Sequence, residues 1–299
     1  MFEAYNEKLK LLIKVLPMVA EENCFALHGG TAINLFVHDL PRLSVDIDLT
    51  YLPIEDRPTT LKGIGDALLR IKEKVEAKIP HSRAVHKDDI GKLIISLHRT
   101  EIKLEVNLVG RGTLSDPVRM PVCKQVQDIY GSFMAMPIVP IGQLYGGKIC
   151  AALDRQHPRD LFDVKLLMEN EGFSDDVRTG FLLCLLCSDR PINEVLVPNF
   201  QDQRQAMERQ FTGMSDVEFT YDDFETTREQ LVETVNKSLT AKDKEFLLSV
   251  KNCEPDWSIY DFERFPAVQW KLQNLRKLKE SNPDKHKQLY EALKEKLEG

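Results

Sequence analysis

The chain has few of the residues that build disulfide frameworks or zinc sites. Its six cysteines are scattered over 299 residues, and only Cys184 and Cys187 have a ligand-like spacing. Both lie in the apolar run FLLCLLC with no second Cys/His pair nearby, so we expect buried thiols. Clustered histidines are lacking too, since His81, His86 and His98 are scattered, which disfavours a hydrolase built on a histidine-bound metal.

Long apolar runs and excess positive charge are also absent. No run reaches the roughly 18–20 apolar residues of a membrane span, and MFEAYNEKLK lacks the apolar region of a signal peptide. We therefore predict a cytoplasmic protein without membrane contact. A net charge of −7 argues against nonspecific coating of nucleic acid. Basic residues over 70–87 and 271–296 alternate with glutamates, as on solvated helix surfaces.

The composition is that of an ordinary globular protein, with 42% apolar and 29% charged residues. A chain of 299 residues is long enough for two domains. Strand and helix patterns mix up to a proline-bounded hinge at 137–140, beyond which the pattern is almost entirely helical. We predict an α+β protein with a mixed-sheet domain over 1–138 and a helical domain over 139–299.

The most informative stretch is FALHGGTAINLFVHDLPRLSVDIDLTY, residues 25–51. The pattern predicts a strand, a glycine pair, a short helix and a second strand carrying Asp46 and Asp48. Because alternate side chains of a strand share a face, both aspartates point one way, and Ile47 and Leu49 point into the core. Two carboxylates on one face repel each other unless a cation joins them or water solvates them.

Each part of this stretch suits a step in binding a metal–polyphosphate complex. Carboxylate oxygens are ligands that Mg²⁺ prefers, and Mn²⁺ is an alternative. Gly29 and Gly30 let backbone N–H groups approach phosphates, and Thr31 is a candidate cap for the following helix. We expect Gly29, Gly30 and Thr31 to hold the β- and γ-phosphates of a nucleotide. The alternative interpretation is an ordinary turn followed by an edge strand with solvated aspartates.

A second polar pattern lies in the helical half. The sequence predicts a helix over 141–155, a break, and another helix. Lys148 and Arg155 are seven residues apart and share a face, while Asp160 and Asp163 are neighbours on the second helix. On spacing alone, this pattern favours a salt-bridge network between two helices.

Both stretches resemble one group of proteins. The first resembles the opening motif of the DNA polymerase β-like nucleotidyltransferase superfamily. The second, KICAALDRQHPRDLFDVKLL, resembles the downstream motif of the AbiEii/AbiGii toxin family, a polymerase β-like group of toxin–antitoxin and abortive-infection systems. The resemblance is strong over about residues 25–170 and weaker beyond.

This resemblance implies roles for the second pattern. Lys148 would be an active-site residue that binds the triphosphate of the nucleotide. Asp163 would orient Lys148 or hold the ribose or base. Arg159 and Asp160 belong to the same motif and would help to bind the nucleotide. The helical domain would therefore complete the active site.

The resemblance also implies a third metal-binding carboxylate on a strand beside Asp46 and Asp48. Glu105 fits that place, on a predicted strand over 102–109, and would contact the metal and assist deprotonation of the attacking hydroxyl. The sequence leaves an alternative open, which is a surface ion pair of Glu105 with Lys103 or an arginine.

The function implied is nucleotidyl transfer by a toxin. The donor would be a nucleoside triphosphate, often GTP or a pyrimidine triphosphate, and the acceptor RNA, commonly the tRNA 3′ end. An antitoxin encoded nearby is expected, although it need not touch the toxin, and we expect a monomer. The alternatives are nucleotidylation of a small molecule or a protein hydroxyl, and a catalytically silent nucleotide-binding module.

Overall fold

The computed structural model describes residues 2–298, and within them seven strands form one mixed sheet. The strands are Phe25–His28 (β1), Asp46–Tyr51 (β2), Ser82–Lys87 (β3), Lys92–Leu97 (β4), Thr100–Val106 (β5), Val118–Pro121 (β6) and Ala135–Ile138 (β7). Their order across the sheet is β3-β4-β5-β2-β1-β7-β6. β2 pairs antiparallel with β1 and parallel with β5. The predicted α+β class is confirmed.

Helices make up most of the remaining structure. They are Phe2–Val19 (α1), Gly29–Ala32 (α2), Arg57–Lys78 (α3), Lys124–Tyr130 (α4), Ile141–Arg155 (α5), Pro158–Asn170 (α6), Asp175–Cys187 (α7), Ile192–Leu196 (α8), Arg204–Ala206 (α9), Tyr221–Ser238 (α10), Ala241–Lys251 (α11), Pro266–Ser281 (α12) and Pro283–Glu298 (α13). Ile33–Val37 and Met207–Phe211 are π-helical, and Asp88–Ile90 is a 3₁₀ turn. Among residues 2–298, none of the helices combines the length and apolar character required to span a bilayer.

The chain divides into two compact units. The first, here called the sheet unit, comprises Met1–Pro140 and Gln210–Glu218, and the second, the helical unit, comprises Ile141–Arg209 and Phe219–Gly299. The sequence pattern did not predict that residues 210–218 belong to the sheet unit. This placement follows from backbone pairing, since the Leu43 N–H donates to the Met214 carbonyl at 2.7 Å.

Alternation along β2 sets the two faces of the sheet. Ile47 and Leu49 are completely buried, whereas Asp46 and Asp48 are half-buried on the opposite face. Helix α1 packs against β5 and α3 through a buried apolar stripe at the predicted helical spacing. These residues are Leu9, Leu12, Val15, Leu16 and Val19. The helix continues past Pro17 to Val19, although a proline inside a helix commonly shortens or kinks it.

Several boundaries differ from the sequence prediction. The apolar spacing predicts a helix over 60–78, but helix α3 begins at Arg57, because the Asp56 side chain accepts the Thr59 N–H at 3.0 Å. Strand β3 lies where the sequence indicated a basic helix surface. The helix predicted over 222–250 is two helices, because Thr240 and Asp243 form a capping box that starts α11.

Glycines allow the two main helices of the helical unit to touch. A Cβ added to Gly146 of α5 would overlap the backbone of Gly180 of α7, and one added to Gly180 would overlap the backbone of Gly142. Helix backbones come this close only where side chains are absent. The contact fixes the position of α5, the helix that carries Lys148.

Candidate active site

The glycine pair is joined directly to the aspartate strand. Helix α2 begins at Gly29, immediately after β1. The buried Thr31 hydroxyl donates to the Asp46 carbonyl at 2.5 Å and lies 3.0 Å from the Ser44 hydroxyl. We had expected Thr31 to cap the helix, and that expectation is wrong. Thr31 lies inside α2, whose N-cap residue is His28, and the His28 side chain makes no capping hydrogen bond. Thr31 holds the glycine helix against the start of β2.

Polar side chains occupy the space that a Cβ of either glycine would fill. Gly29 has a φ of +73°, and its Cβ would lie 2.6 Å from Asp48 Oδ2. A Cβ on Gly30 would lie 2.7 Å from Arg42 Nη2 and 3.0 Å from Ser44 Oγ. Any other residue at 29 would meet both backbone strain and this contact. The glycine backbone thus lies directly against a carboxylate, a guanidinium and a hydroxyl.

Arg42 and Ser44 are site residues that the sequence analysis missed. Arg42 is buried, and its Nη1 donates to the Leu43 carbonyl at 3.0 Å. The signal was present, because in RLSVDID polar residues at 42, 44, 46 and 48 alternate with apolar ones. We had taken only the last two polar positions as functional.

His28 is a second omission. It faces Asp48 across the antiparallel β1–β2 pair, and its Nδ1 lies 3.0 Å from the Thr50 hydroxyl. Directly opposed residues of paired strands project from the same face. His28 therefore belongs to the face that carries the two aspartates.

Glu105 lies on the strand we predicted. It is the register partner of Asp48 on the parallel strand β5, so the two share a face of the sheet. Its carboxylate, however, is 2.7 Å from Lys92 Nζ on β4, which is a surface ion pair of the kind left open above, with a different lysine. Within residues 2–298, no three His, Cys, Asp or Glu side chains are placed to share a metal ion. A metal-binding role for Glu105 stays a prediction.

The donor set of β2 fits a hard divalent cation. Asp46 and Asp48 provide oxygen donors on one half-buried face, and the Gly29 backbone is held against one of them. Mg²⁺ is usually bound by one or two carboxylates, with waters and substrate phosphates completing its shell. Two aspartates beside a glycine pair match that requirement.

In the helical unit, the predicted salt-bridge network is present. Lys148 Nζ lies 2.8 Å from Asp160 Oδ1 and 3.0 Å from Asp163 Oδ2, and its side chain is only 6% exposed. Arg155 donates to both oxygens of Asp160, at 2.5 and 3.0 Å. Burial would raise the pKa of Asp160, but Lys148 and Arg155 outweigh burial and hold that pKa well below its ordinary value.

Arg159 differs from its neighbours in this network. Its backbone N–H is accepted by His157 Nδ1 at 3.1 Å, which fixes the first turn of α6. Its half-buried side chain takes part in none of the ion pairs of the described residues. Arg159 is thus a cation on α6 that the network leaves unneutralised.

Comparison with known proteins identifies the group. A family model described as nucleotidyl transferase AbiEii toxin, type IV TA system, matches residues 10–274. The chain belongs to this AbiEii family. It is a nucleotidyltransferase toxin of a type IV toxin–antitoxin system, and the resemblance inferred from the two motifs is confirmed.

A solved structure shares the fold. The AbiEii-family chain is similar to MenT4, a nucleotidyltransferase toxin from Mycobacterium tuberculosis H37Rv, with a TM-score of 0.60 and 14% sequence identity. The match covers 88% of this chain and 92% of that one. At such identity the likeness establishes the fold. No curated protein matches the sequence.

Proposed function

We propose that this AbiEii-family toxin uses a divalent metal to transfer a nucleotide from a nucleoside triphosphate to the 3′ end of an RNA. The observation that carries the proposal is the contact of Gly29 with Asp48, since a Cβ at residue 29 would lie 2.6 Å from the carboxylate. A backbone suited to phosphates and a carboxylate suited to a metal meet at one point. Nucleotidyl transfer needs both at the same phosphorus.

Asp46 and Asp48 are the proposed ligands of Mg²⁺, or of Mn²⁺ in its place. When bound, the cation supplies charge neutralisation on the phosphates and lowers the pKa of the attacking hydroxyl. Glu105 is the proposed third ligand. Its ion pair with Lys92 is partly exposed, with side-chain exposures of 42% and 24%. Pairs of this kind contribute about 0–1 kcal/mol, so the carboxylate is available to a cation.

The glycine pair is proposed to bind the triphosphate through backbone N–H groups. Gly29 and Gly30 leave the backbone open to close approach. Arg42 is held beside Gly30 and adds a fixed positive charge at that point. Thr31 contributes as a brace, since its hydroxyl already donates to the Asp46 carbonyl.

The α5–α6 network is proposed to present cations to the nucleotide. Asp160 and Asp163 fix the Lys148 ammonium in one position, so little side-chain entropy is lost when it meets phosphate. Asp163 is then the orienting residue. Arg159, which the ion pairs leave unneutralised, is the proposed second phosphate contact.

The acceptor and the donor base belong to the proposal. We take the tRNA 3′ end as the first acceptor to test and GTP or a pyrimidine triphosphate as donor, because the family motif implies them. A net charge of −7 is compatible with an acceptor bound at its end and incompatible with broad backbone coating. An antitoxin is expected for a type IV system.

The proposal is tested by incubating the protein with each labelled nucleoside triphosphate and total RNA, with Mg²⁺, with Mn²⁺ and with EDTA. Wild type is compared with Asp48→Asn, which keeps the side-chain shape, and with Asp128→Asn, an exposed residue of α4. We expect label in one RNA band that requires the metal, that is lost in Asp48→Asn and that is kept in Asp128→Asn.

Other outcomes would redirect or end the proposal. Label on a small molecule or a protein, with RNA unlabelled, would replace RNA as acceptor while keeping the reaction class. Equal labelling by wild type and Asp48→Asn would remove the aspartate strand from the reaction. Nucleotide binding without any labelled product, in both variants, would favour a catalytically silent module.

A further inference from the structure

Aromatic rings and guanidinium groups of the helical unit form a continuous stack. Arg228 lies over two rings, 4.2 Å from the Phe200 centroid and 5.0 Å from that of Phe224. Phe224 stacks on Tyr221 at 5.2 Å with an interplanar angle of 24°, and Arg204 lies 4.7 Å from the Tyr221 centroid. We call these five residues the stacking ladder. The guanidinium groups attract the rings through cation–π contacts, and the two adjacent rings stack on each other.

The middle of the ladder is buried and both ends reach the surface. Phe224 and Arg228 are almost fully buried. At one end Phe200 is 47% exposed, and at the other the Arg204 side chain is 65% exposed. A buried stack would have no exposed ring face, whereas this one leaves a planar surface in water at each end. Phe200 therefore has ring surface in water that can stack on a planar ligand.

The ladder is anchored to the turn between α5 and α6. Arg228 donates to Gln156 Oε1 at 3.1 Å, and Gln156 is buried in that turn with a left-handed φ of 49°. Gln203 donates to the Arg155 carbonyl at 3.0 Å, and Arg155 is ion-paired with Asp160. The ladder and the Lys148–Asp160–Asp163 network thus share one support within the helical unit.

Charge around the ladder indicates what kind of group would bind. Asp202 Oδ2 is 2.7 Å from Arg204, and Glu225 lies 3.8 Å from Arg228 Nη2. Each guanidinium is therefore balanced by a carboxylate, so the ladder has little positive charge to offer a phosphate. Planar stacking surfaces with neutralised charge suit a flat, uncharged ligand.

We propose that the outer face of Phe200 binds an unpaired nucleobase by stacking, backed by Arg228 on its inner face. This rests on the proposed function for its ligand, since a nucleotidyltransferase meets bases in the donor triphosphate and at the acceptor end. The acceptor RNA is the source we favour, because an RNA end presents bases that stacking can hold without phosphate contacts. The exposed Arg204 plane is a second stacking surface.

The test measures binding, so it needs no turnover. Anisotropy of a short fluorescein-labelled single-stranded RNA and of a fluorescent GTP analogue is titrated with wild type, Phe200→Leu and Phe200→Trp. We expect Phe200→Leu to weaken RNA binding about tenfold and Phe200→Trp to preserve it. An abasic oligonucleotide of equal length should bind all three alike. Phe133→Leu, an 81% exposed ring of the sheet unit, is the matched control and should bind as wild type.

The other possible outcomes distinguish a donor base from an acceptor base and from the absence of a stacking site. If Phe200→Leu weakens the GTP analogue and leaves RNA unchanged, the stacking site stands and its base is the donor's. If it weakens neither probe, or weakens the abasic oligonucleotide equally, the inference is overturned. If the Phe200→Leu variant unfolds, Arg204→Met tests the second stacking surface, at the other end of the ladder, in the same titrations. These binding results do not depend on the Asp48→Asn experiment. The nucleotidyl-transfer proposal can therefore hold if the stacking proposal is wrong, and the stacking proposal can hold if nucleotidyl transfer is wrong.

Discussion

Gly29 lies so close to the Asp48 carboxylate that a side chain at residue 29 would meet it. Gly29 has a φ of +73°, and a Cβ there would lie 2.6 Å from Asp48 Oδ2. With no Cβ, the left-handed backbone of Gly29 can lie directly against the Asp48 carboxylate. This one relationship links the backbone that we propose binds phosphate to the strand that we propose binds the metal.

Gly29→Ala should therefore abolish transfer. We expect activity to fall by about a hundredfold or more, because displacement of a reacting group by an ångström has that effect. Gly131→Ala is the matched control, since Gly131 also has a positive φ, 62°, and nothing lies within 4 Å of its added Cβ. It should lose about 1 kcal/mol of unfolding free energy and keep its activity. Equal activity losses in both variants would show backbone strain alone.

Substitutions of Glu105 and Lys92 test whether Glu105 is a metal ligand or only a partner in a surface ion pair. If Glu105 binds the metal as proposed, we expect Glu105→Gln to reduce the transfer rate more than tenfold and to raise the Mg²⁺ concentration required. Lys92→Gln breaks the same 2.7 Å ion pair and should change the rate little. Mg²⁺ titrations of both variants are the measurement. Similar small effects would leave Glu105 with a structural role only.

Lys148 should matter for both activity and stability, and a double variant separates the two. Lys148→Met leaves Asp160 and Asp163 without a buried cation that lies within 3.0 Å of each. We expect a loss of about 3–5 kcal/mol in unfolding free energy. Adding Asp163→Asn should recover part of that stability without restoring transfer. Recovered activity in the double variant would contradict a role for Lys148 in binding phosphate.

Asp160 should make stability depend on acid pH. Its pKa is lowered from 3.8 by Lys148 and Arg155, which outweigh the effect of burial. A lowered pKa means that the carboxylate contributes its full stability above about pH 4 and loses it as the pH falls further. The difference in unfolding free energy between wild type and Asp160→Asn should thus be largest at pH 7 and shrink below pH 4. Asp128→Asn should differ little from wild type at any pH.

Adjacent glycines of α5 should respond oppositely to alanine. Gly146→Ala places a Cβ in the backbone of Gly180 and should cost about 2–3 kcal/mol of unfolding free energy. Gly147→Ala meets only Cys184 Sγ, at 3.7 Å, and should stabilise the helix by about 0.5–1 kcal/mol. Denaturant midpoints of the two variants provide the measurement. Destabilisation of both by the same amount would argue against the close helix contact.

Local sequence patterns predicted the structure correctly where the relevant contact is made within a few residues of the chain. The face shared by Asp46 and Asp48 follows from strand alternation, and helix α5 ends at Arg155 as its spacing predicted. Thr31 shows the limit, since its type suggested a cap while its hydroxyl bonds to a strand 15 residues away. A side chain with several possible partners is assigned by what packs against it.

By itself, the sequence determined the α+β class, the glycine–aspartate motif, the basic and acidic faces of α5 and α6, and membership of the family, because all of these are written in short periods and spacings. Tertiary structure alone decided that Glu105 pairs with Lys92, that Arg42 lies against Gly30, and that Phe200 meets Arg228 in the stacking ladder. The physical reason is that a spacing of two or three and a half residues fixes the direction of a side chain. Its partner depends on which distant segment the hydrophobic core brings beside it.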